Sequence, residues 1–175
     1  MPDRSGPWVE IADRVFTRRY RFYDQEIGVV LGDGEALVVD TRISERQARE
    51  VLDDLRDLTR DPVTIVVDTH WHSDHTFGNH AFRPAAIWGH EHCARGILER
   101  GPIAIKRIAA EMPDLADEVA AVTLDPPDRH FSEHARLHVG GRLALDDAIA
   151  ASPFSPETSR QPLERCLEQL RGNLD

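Results

Sequence analysis

The stretch Val63-Thr64-Ile65-Val66-Val67-Asp68-Thr69-His70-Trp71-His72-Ser73-Asp74-His75 decides how the rest of the chain is read. Val63 to Val67 is β-branched throughout, and a short unbroken apolar run of that kind is the pattern of a strand buried on both faces. A polar loop opens directly after it. Three histidines and an aspartate then fall within six residues, His70 to His75. Imidazole and carboxylate are costly to bury without partners, whereas one divalent cation satisfies several of them together. In an extended segment alternate side chains share a side, so His70 and His72 can turn two ring nitrogens toward one ion. Asp74 and His75 follow where the chain turns, within reach of a second ion close by. Metal binding is the chemistry to which this spacing points.

Working upstream, Ala36-Leu37-Val38-Val39-Asp40 is a short apolar strand that ends on a carboxylate. Before it, Gly32-Asp33-Gly34 carries a hairpin signal, and Val9 and Ile11, then Ile27, Val29 and Leu31, alternate as strands do. Between Asp40 and the deciding stretch, Ser44 followed by Gln47 has the spacing of a capping box. Ala48, Val51, Leu52, Leu55 and Leu58 then recur at helical intervals, and Pro62 closes the segment. A helix between two apolar strands is the order of an α/β protein with parallel pairing.

Downstream, Ala85-Ala86-Ile87-Trp88 reads as a further strand, and two helices are expected, about His90 to Leu98 and Ile103 to Met112, separated by Gly101-Pro102. Residues 122–139 read as extended, and Gly140-Gly141 as the turn of a hairpin between Leu137-His138-Val139 and Leu143-Ala144-Leu145. After Ser152-Pro153-Phe154-Ser155-Pro156, a loop by composition, Pro162 to Leu170 forms one candidate helix, with Leu163, Cys166, Leu167 and Leu170 on a single face. The remaining histidines read as structural or solvent-facing: His80, His90 and His92, the last two at the start of a helix, and His130, His134 and His138 on an alternating segment. Cys93 and Cys166, far apart and without a Cys-x-x-Cys pairing, read as reduced packing residues.

A chain of 175 residues suits one domain that buries about 70% of its unfolded surface without disulfides. Its 41% hydrophobic and 30% charged residues are those of a soluble α/β protein, and the net charge of −10 argues against a surface that tracks nucleic-acid phosphates. No stretch has the length of a signal peptide's apolar core or approaches the roughly 18 apolar residues of a membrane span, so no membrane association and a cytoplasmic location are the expectations.

The pattern His70-x-His72-x-Asp74-His75 after a buried strand, with Val38-Val39-Asp40-Thr41 before it and Gly78-Asn79 behind it, resembles the metallo-β-lactamase superfamily over roughly residues 8–142. The resemblance implies an αββα sandwich. It implies zinc, one or two ions, with other divalent metals able to substitute, held by His70 and His72 at a first site and by Asp74 and His75 at a second. It implies hydrolysis in which a metal-bound hydroxide attacks a small-molecule ester, lactam or thioester. Asp74 would be the carboxylate that handles protons where a single zinc is held, and Asp40 and Thr69 would stand behind the ligands.

Members of that superfamily continue through a second sheet that supplies a third histidine, a bridging aspartate and a last histidine. After His138 this chain has no histidine, and Asp146-Asp147 does not match the aspartate motif. The expected architecture is therefore an incomplete sandwich: residues 1–142 form the first sheet with its helices, and residues 143–175 form a divergent tail with one helix, a truncation or frame-shift being the favoured origin. A sheet face left bare would seek a partner, and a homo-oligomer is one way to cover it. The alternative to a working hydrolase is a catalytically inactive truncated or degenerate homologue that acts at most as a weak metal-binding or oligomerisation module.

Overall fold

The computed structural model describes residues 6–133 and 135–145. Strands β1 (Val9–Ala12), β2 (Val15–Tyr20), β3 (Gln25–Leu31) and β4 (Ala36–Val39) run antiparallel in chain order. From β4 the pairing becomes parallel through β5 (Val63–Asp68), β6 (Ala86–His90) and β7 (Arg129–Phe131), which completes a seven-stranded sheet in the order β1 to β7. The change follows from the connections. A tight turn can join only antiparallel neighbours, whereas α1 (Glu45–Leu55) and α3 (Glu91–Glu111) return the chain to the same edge before the next strand begins. The register sets Val39 beside Val67, Val67 beside Trp88 and Trp88 beside Arg129, so the carboxyl ends of β4 to β7 open on one edge of the sheet. In open α/β sheets that edge is where ligands bind.

Helix α1 starts as its sequence specifies: Ser44 is extended, and its hydroxyl accepts from the Gln47 N–H. Gln47, Ala48, Val51 and Leu55 are buried, and the apolar side of the helix packs with Tyr20, Ile27, Val29, Val38, Val66 and Ile87 on one face of the sheet. The helix ends at Leu55, short of Leu58, which packs at the margin of the same cluster from the turn that follows.

The opposite face is not left bare. The hairpin of β8 (Leu137–Val139) and β9 (Arg142–Leu145) lies across it, and Leu137, Val139 and Ala144 pack on Val15, Val30, Leu37, Val39 and Val67. Its Gly140 carbonyl accepts from the Asp33 N–H at 3.3 Å, which ties the hairpin to the turn between β3 and β4. Ile11, Ile65 and Trp88 at the margin of that cluster remain partly exposed. The sheet face expected to lie open is therefore covered in its centre by the chain's own hairpin.

Two other expectations are corrected. Gly101-Pro102 does not separate two helices: α3 is continuous over 21 residues with Pro102 inside it. Proline removes the bond to the Leu98 carbonyl, but Leu98 is 61% exposed, so water reaches the freed oxygen, while Ile97, Gly101 and Ile108 on the other side hold the helix by burial. Residues 122–139 are extended only at β7 and β8, and a short helix α4 (Ala116–Ala120) precedes them. There Val119 is buried with Ile43, Phe77 and Ile108. The expected helix at Pro162 to Leu170, together with Cys166, Asp146-Asp147 and His134, lies outside the described residues. No helix among the described residues is long and apolar enough to cross a membrane.

Candidate metal centre

The motif begins where β5 ends. Thr69 to His72 form an open turn, and a short helix α2 (Ser73–Thr76) reverses the chain. Two residues hold this loop against the end of β4. The Thr41 N–H donates to the His75 carbonyl at 2.7 Å, and the Gly78 N–H donates to the Arg42 carbonyl at 3.1 Å. A Cβ on Gly78 would lie 2.0 Å from the Thr41 carbonyl oxygen, so only glycine allows this approach. Asn79, fully buried, donates through Nδ2 to Asp68 at 2.8 Å and to the Asp125 carbonyl at 2.9 Å, and its Oδ1 accepts from the Thr41 hydroxyl at 2.7 Å.

The backbone at the end of β4 is left-handed at Asp40 (φ 64°) and Arg42 (φ 73°), an uncommon conformation for residues with side chains. Tertiary contacts hold both. Arg42 is completely buried, with its guanidinium 4.0 Å from the centre of the Tyr20 ring, bonded to Gln25 at 3.0 Å and to Glu50 at 3.1 Å. Asp40 turns into the motif. Its Oδ2 lies 2.7 Å from His75 Nδ1 and accepts from the Thr69 hydroxyl at 2.8 Å, while its Oδ1 accepts from the Thr69 N–H at 2.9 Å. Thr69 Oγ1 is in turn 3.0 Å from His70 Nδ1. Asp40 thus fixes two imidazoles, one directly and one through Thr69, which is the arrangement that orients a ligand's other nitrogen.

The rings converge. The centre of His70 lies 4.5 Å from that of His72 and 4.1 Å from that of His75, and Asp74 Oδ2 lies 3.2 Å from His75 Nε2. His70 and His75 are each 8% exposed, and Nε2 of His70 is buried without a hydrogen-bond partner. Burial, reinforced by His75 and His72, pushes the His70 imidazole down to about 2, so it is neutral with a free lone pair. Burial also lowers His72, with further contributions from His75, Arg107 and Arg100. For His75 burial acts in the same direction, but Asp40 and Asp74 outweigh it and raise the ring to about 10. Asp74, whose burial alone would raise it, is held at about 2 by His75.

These residues fit a zinc ion. Imidazole and carboxylate are its usual ligands, and an orphaned ring nitrogen at the centre of the cluster lacks only an acceptor for its lone pair. They fit it as part of a shell: among the described residues, no three His, Cys, Asp or Glu side chains are placed as a group able to hold an ion unaided. His90 stands apart, capping α3 through Nδ1, which accepts from the His92 N–H at 3.1 Å, while Nε2 is 2.9 Å from the Ser132 carbonyl. His80 pairs with Asp125 at 3.1 Å, and His92 is exposed.

Sequence reasoning missed three contributors. Asp68 is buried at the end of β5 with Oδ1 unpartnered, and burial holds its carboxyl well above the usual range. A carboxylate closing a β-branched run was the available signal. Gln25, which donates to the Asp74 carbonyl at 2.5 Å, and the buried Arg42 gave none, because their roles depend on a hairpin and a helix meeting in space.

A family model described as the metallo-beta-lactamase superfamily matches residues 21–150. No curated protein matches. Among solved structures, the chain is similar to the native FEZ-1 metallo-beta-lactamase from Legionella gormanii, with 16% identity, a TM-score of 0.62 and coverage of 82% of this chain and 52% of that one. It is similar to the inverting sec-alkylsulfatase Pisa1 from Pseudomonas sp., with 16% identity, a TM-score of 0.59 and coverage of 86% and 30%. It is also similar to a beta-lactamase domain protein from Burkholderia ambifaria, with 21% identity, a TM-score of 0.53 and coverage of 82% and 48%. At these identities the likeness is one of fold, and the chain spans about half the length of the two lactamase-type structures.

Proposed function

We propose that this chain, which belongs to the metallo-β-lactamase superfamily, is a zinc-dependent hydrolase of a small-molecule ester, lactam or thioester, with His70, His72, Asp74 and His75 as the metal ligands. The observation that carries the reading is the unpartnered, buried Nε2 of His70 amid two further imidazoles. Bound zinc would polarise the scissile carbonyl and bring the pKa of water toward neutrality. The protein's part is orientation and proton handling. Asp40 holds His75 directly and His70 through Thr69, which fixes both rings; His70 presents a free nitrogen, whereas His75, whose Nε2 now faces Asp74, would have to give up a proton to ligate. Where a single zinc is held and Asp74 is not one of its ligands, the ionised Asp74 carboxylate would be the group that takes a proton from the attacking water.

A second reading, a catalytically inactive homologue that binds metal weakly, is favoured by one observation: the described residues do not by themselves assemble three ligands, the number usual for catalytic zinc. Activity separates the two. Zinc-replete protein should hydrolyse at least one of a chromogenic lactam, an aryl ester and a thioester, lose that activity on chelation and regain it with added zinc. Absence of turnover in zinc-replete protein would establish the inactive reading.

A further inference from the structure

The edge of the sheet that carries the motif loop also carries a cavity that metal binding does not explain. It has a volume of about 630 Å³ and opens at the carboxyl ends of β6 and β7, with Trp88, Glu91, Phe131, Ser132 and Glu133 in its wall. That is the size of a small-molecule pocket, and aromatic rings with a few polar groups are the usual lining of one. Trp88 packs at the margin of the cluster beneath the β8–β9 hairpin and keeps part of its surface for the cavity.

One buried residue joins the two sides of this cavity. His90, 7% exposed, caps α3 through Nδ1, which accepts from the His92 N–H at 3.1 Å, and so sets where the helix, and with it Glu91, begins. A neutral imidazole that accepts at Nδ1 carries its hydrogen on Nε2, and Nε2 lies 2.9 Å from the Ser132 carbonyl. The Phe131 ring meets the same imidazole edge to face, with ring centres 5.7 Å apart. The wall formed by residues 131–133 is therefore tied to the start of α3 by a single side chain, and the cavity is pre-formed. Its open charge is negative. Glu91 and Glu133 are both exposed, and Glu91 meets the exposed His92 ring at 3.9 Å, a pair that contributes little at that exposure. Arg136 also lines the cavity and already has a partner.

We infer that this cavity is a binding site for an organic ammonium ion, with the cationic head between Glu91 and Glu133 and the carbon body against Trp88 and Phe131. Carboxylates and aromatic rings attract the same ligand, because the face of a π-system carries negative charge toward a cation. The protein's net charge of −10 adds to the attraction at longer range. The strand β7 lies two places from β5 in the sheet, about 10 Å at the usual strand spacing. On the hydrolase reading, on which this one further step rests, the cavity holds the cationic end of a substrate whose scissile bond reaches His70 to His75.

The test does not depend on turnover. Phenethylamine, a cation at neutral pH, and its uncharged isostere 2-phenylethanol are titrated calorimetrically into the full chain at constant ionic strength. The variants E91Q and E133Q remove charge from the cavity at exposed positions, and E99Q removes one charge from α3 outside it. The expected result is saturable binding of the amine, about tenfold tighter than the alcohol, with the preference reduced in E91Q and in E133Q, lost in the double variant and unchanged in E99Q. Equal binding of amine and alcohol, no saturable binding, or a preference that survives in the double variant would overturn the site. A preference that falls equally in E99Q would reduce the effect to net charge and overturn it as well. Amine binding that persists in zinc-free protein without turnover leaves the cavity's assignment standing while the hydrolase reading fails; turnover in protein that does not bind the amine gives the reverse.

Discussion

At the scale of single residues, the site is organised by Asp40. It ends a fully buried strand, takes a left-handed backbone, and holds His75 at 2.7 Å while reaching His70 through Thr69. Asp40→Asn keeps the volume and removes the charge, and loss of such a supporting carboxylate weakens metal affinity about 10- to 100-fold. Competition with a chromogenic chelator measures this, and unchanged affinity would detach Asp40 from the metal site. His72→Ala should remove most bound zinc, whereas His92→Ala, which alters an exposed ring at the start of α3, should leave it as it was. Elemental analysis of the two variants decides it, and the opposite pattern would move the site to the wrong histidines. The histidines and Asp74 were legible because their spacing is unusual and follows a buried strand. Asp68, Gln25 and Arg42 were not, because a buried polar residue reveals its purpose only through partners distant in sequence.

At the scale of elements, β1, β3, β4, α1 and β5 followed from periodicity, turn residues and the Ser44 cap, whereas β2 was not read as a strand of its own. The error at α3 has a physical cause. Proline was weighed for the bond it removes and not for the burial on the helix's other side, and here burial prevails. Pro102→Ala restores a donor near the Leu98 carbonyl, and after allowing for the lost stiffness of the unfolded chain it should stabilise the protein by about 2 kcal/mol, read as a higher Tm. An unchanged or lower Tm would show that the helix is locally adapted to proline. The segment after α4 escaped reading because its hold is ionic. Arg83 clasps Asp125 with two bonds, at 2.8 and 2.7 Å, and reaches Asp128 at 2.8 Å. Arg83, followed by the His80 contact, holds the Asp125 carboxyl below its ordinary value despite partial burial. A lowered folded-state pKa stabilises above the unfolded value, near 3.9, and that stabilisation disappears as pH falls through the folded one. Thermal stability should therefore fall below about pH 4, and Arg83→Gln should be less stable at pH 7 with a shallower acid loss. Parallel pH profiles of variant and wild type would contradict the clamp.

At the scale of the whole molecule, the described residues build one seven-stranded sheet, its helices and a hairpin across the far face, and the chain spans about half the length of the two lactamase-type structures. That hairpin explains why the sheet does not stand open as the sequence suggested. Its turn glycines were readable, but its docking on Val15, Val30 and Leu37 is a long-range contact that local patterns do not carry. The architecture gathers the carboxyl ends of four parallel strands at one edge and places there a cluster of donors with an orphaned nitrogen. The central claim is that this cluster is a zinc site, and the zinc content of the purified full chain after dialysis against metal-free buffer tests it most directly. At least one zinc ion retained per chain is the predicted result; a content near zero would contradict the account.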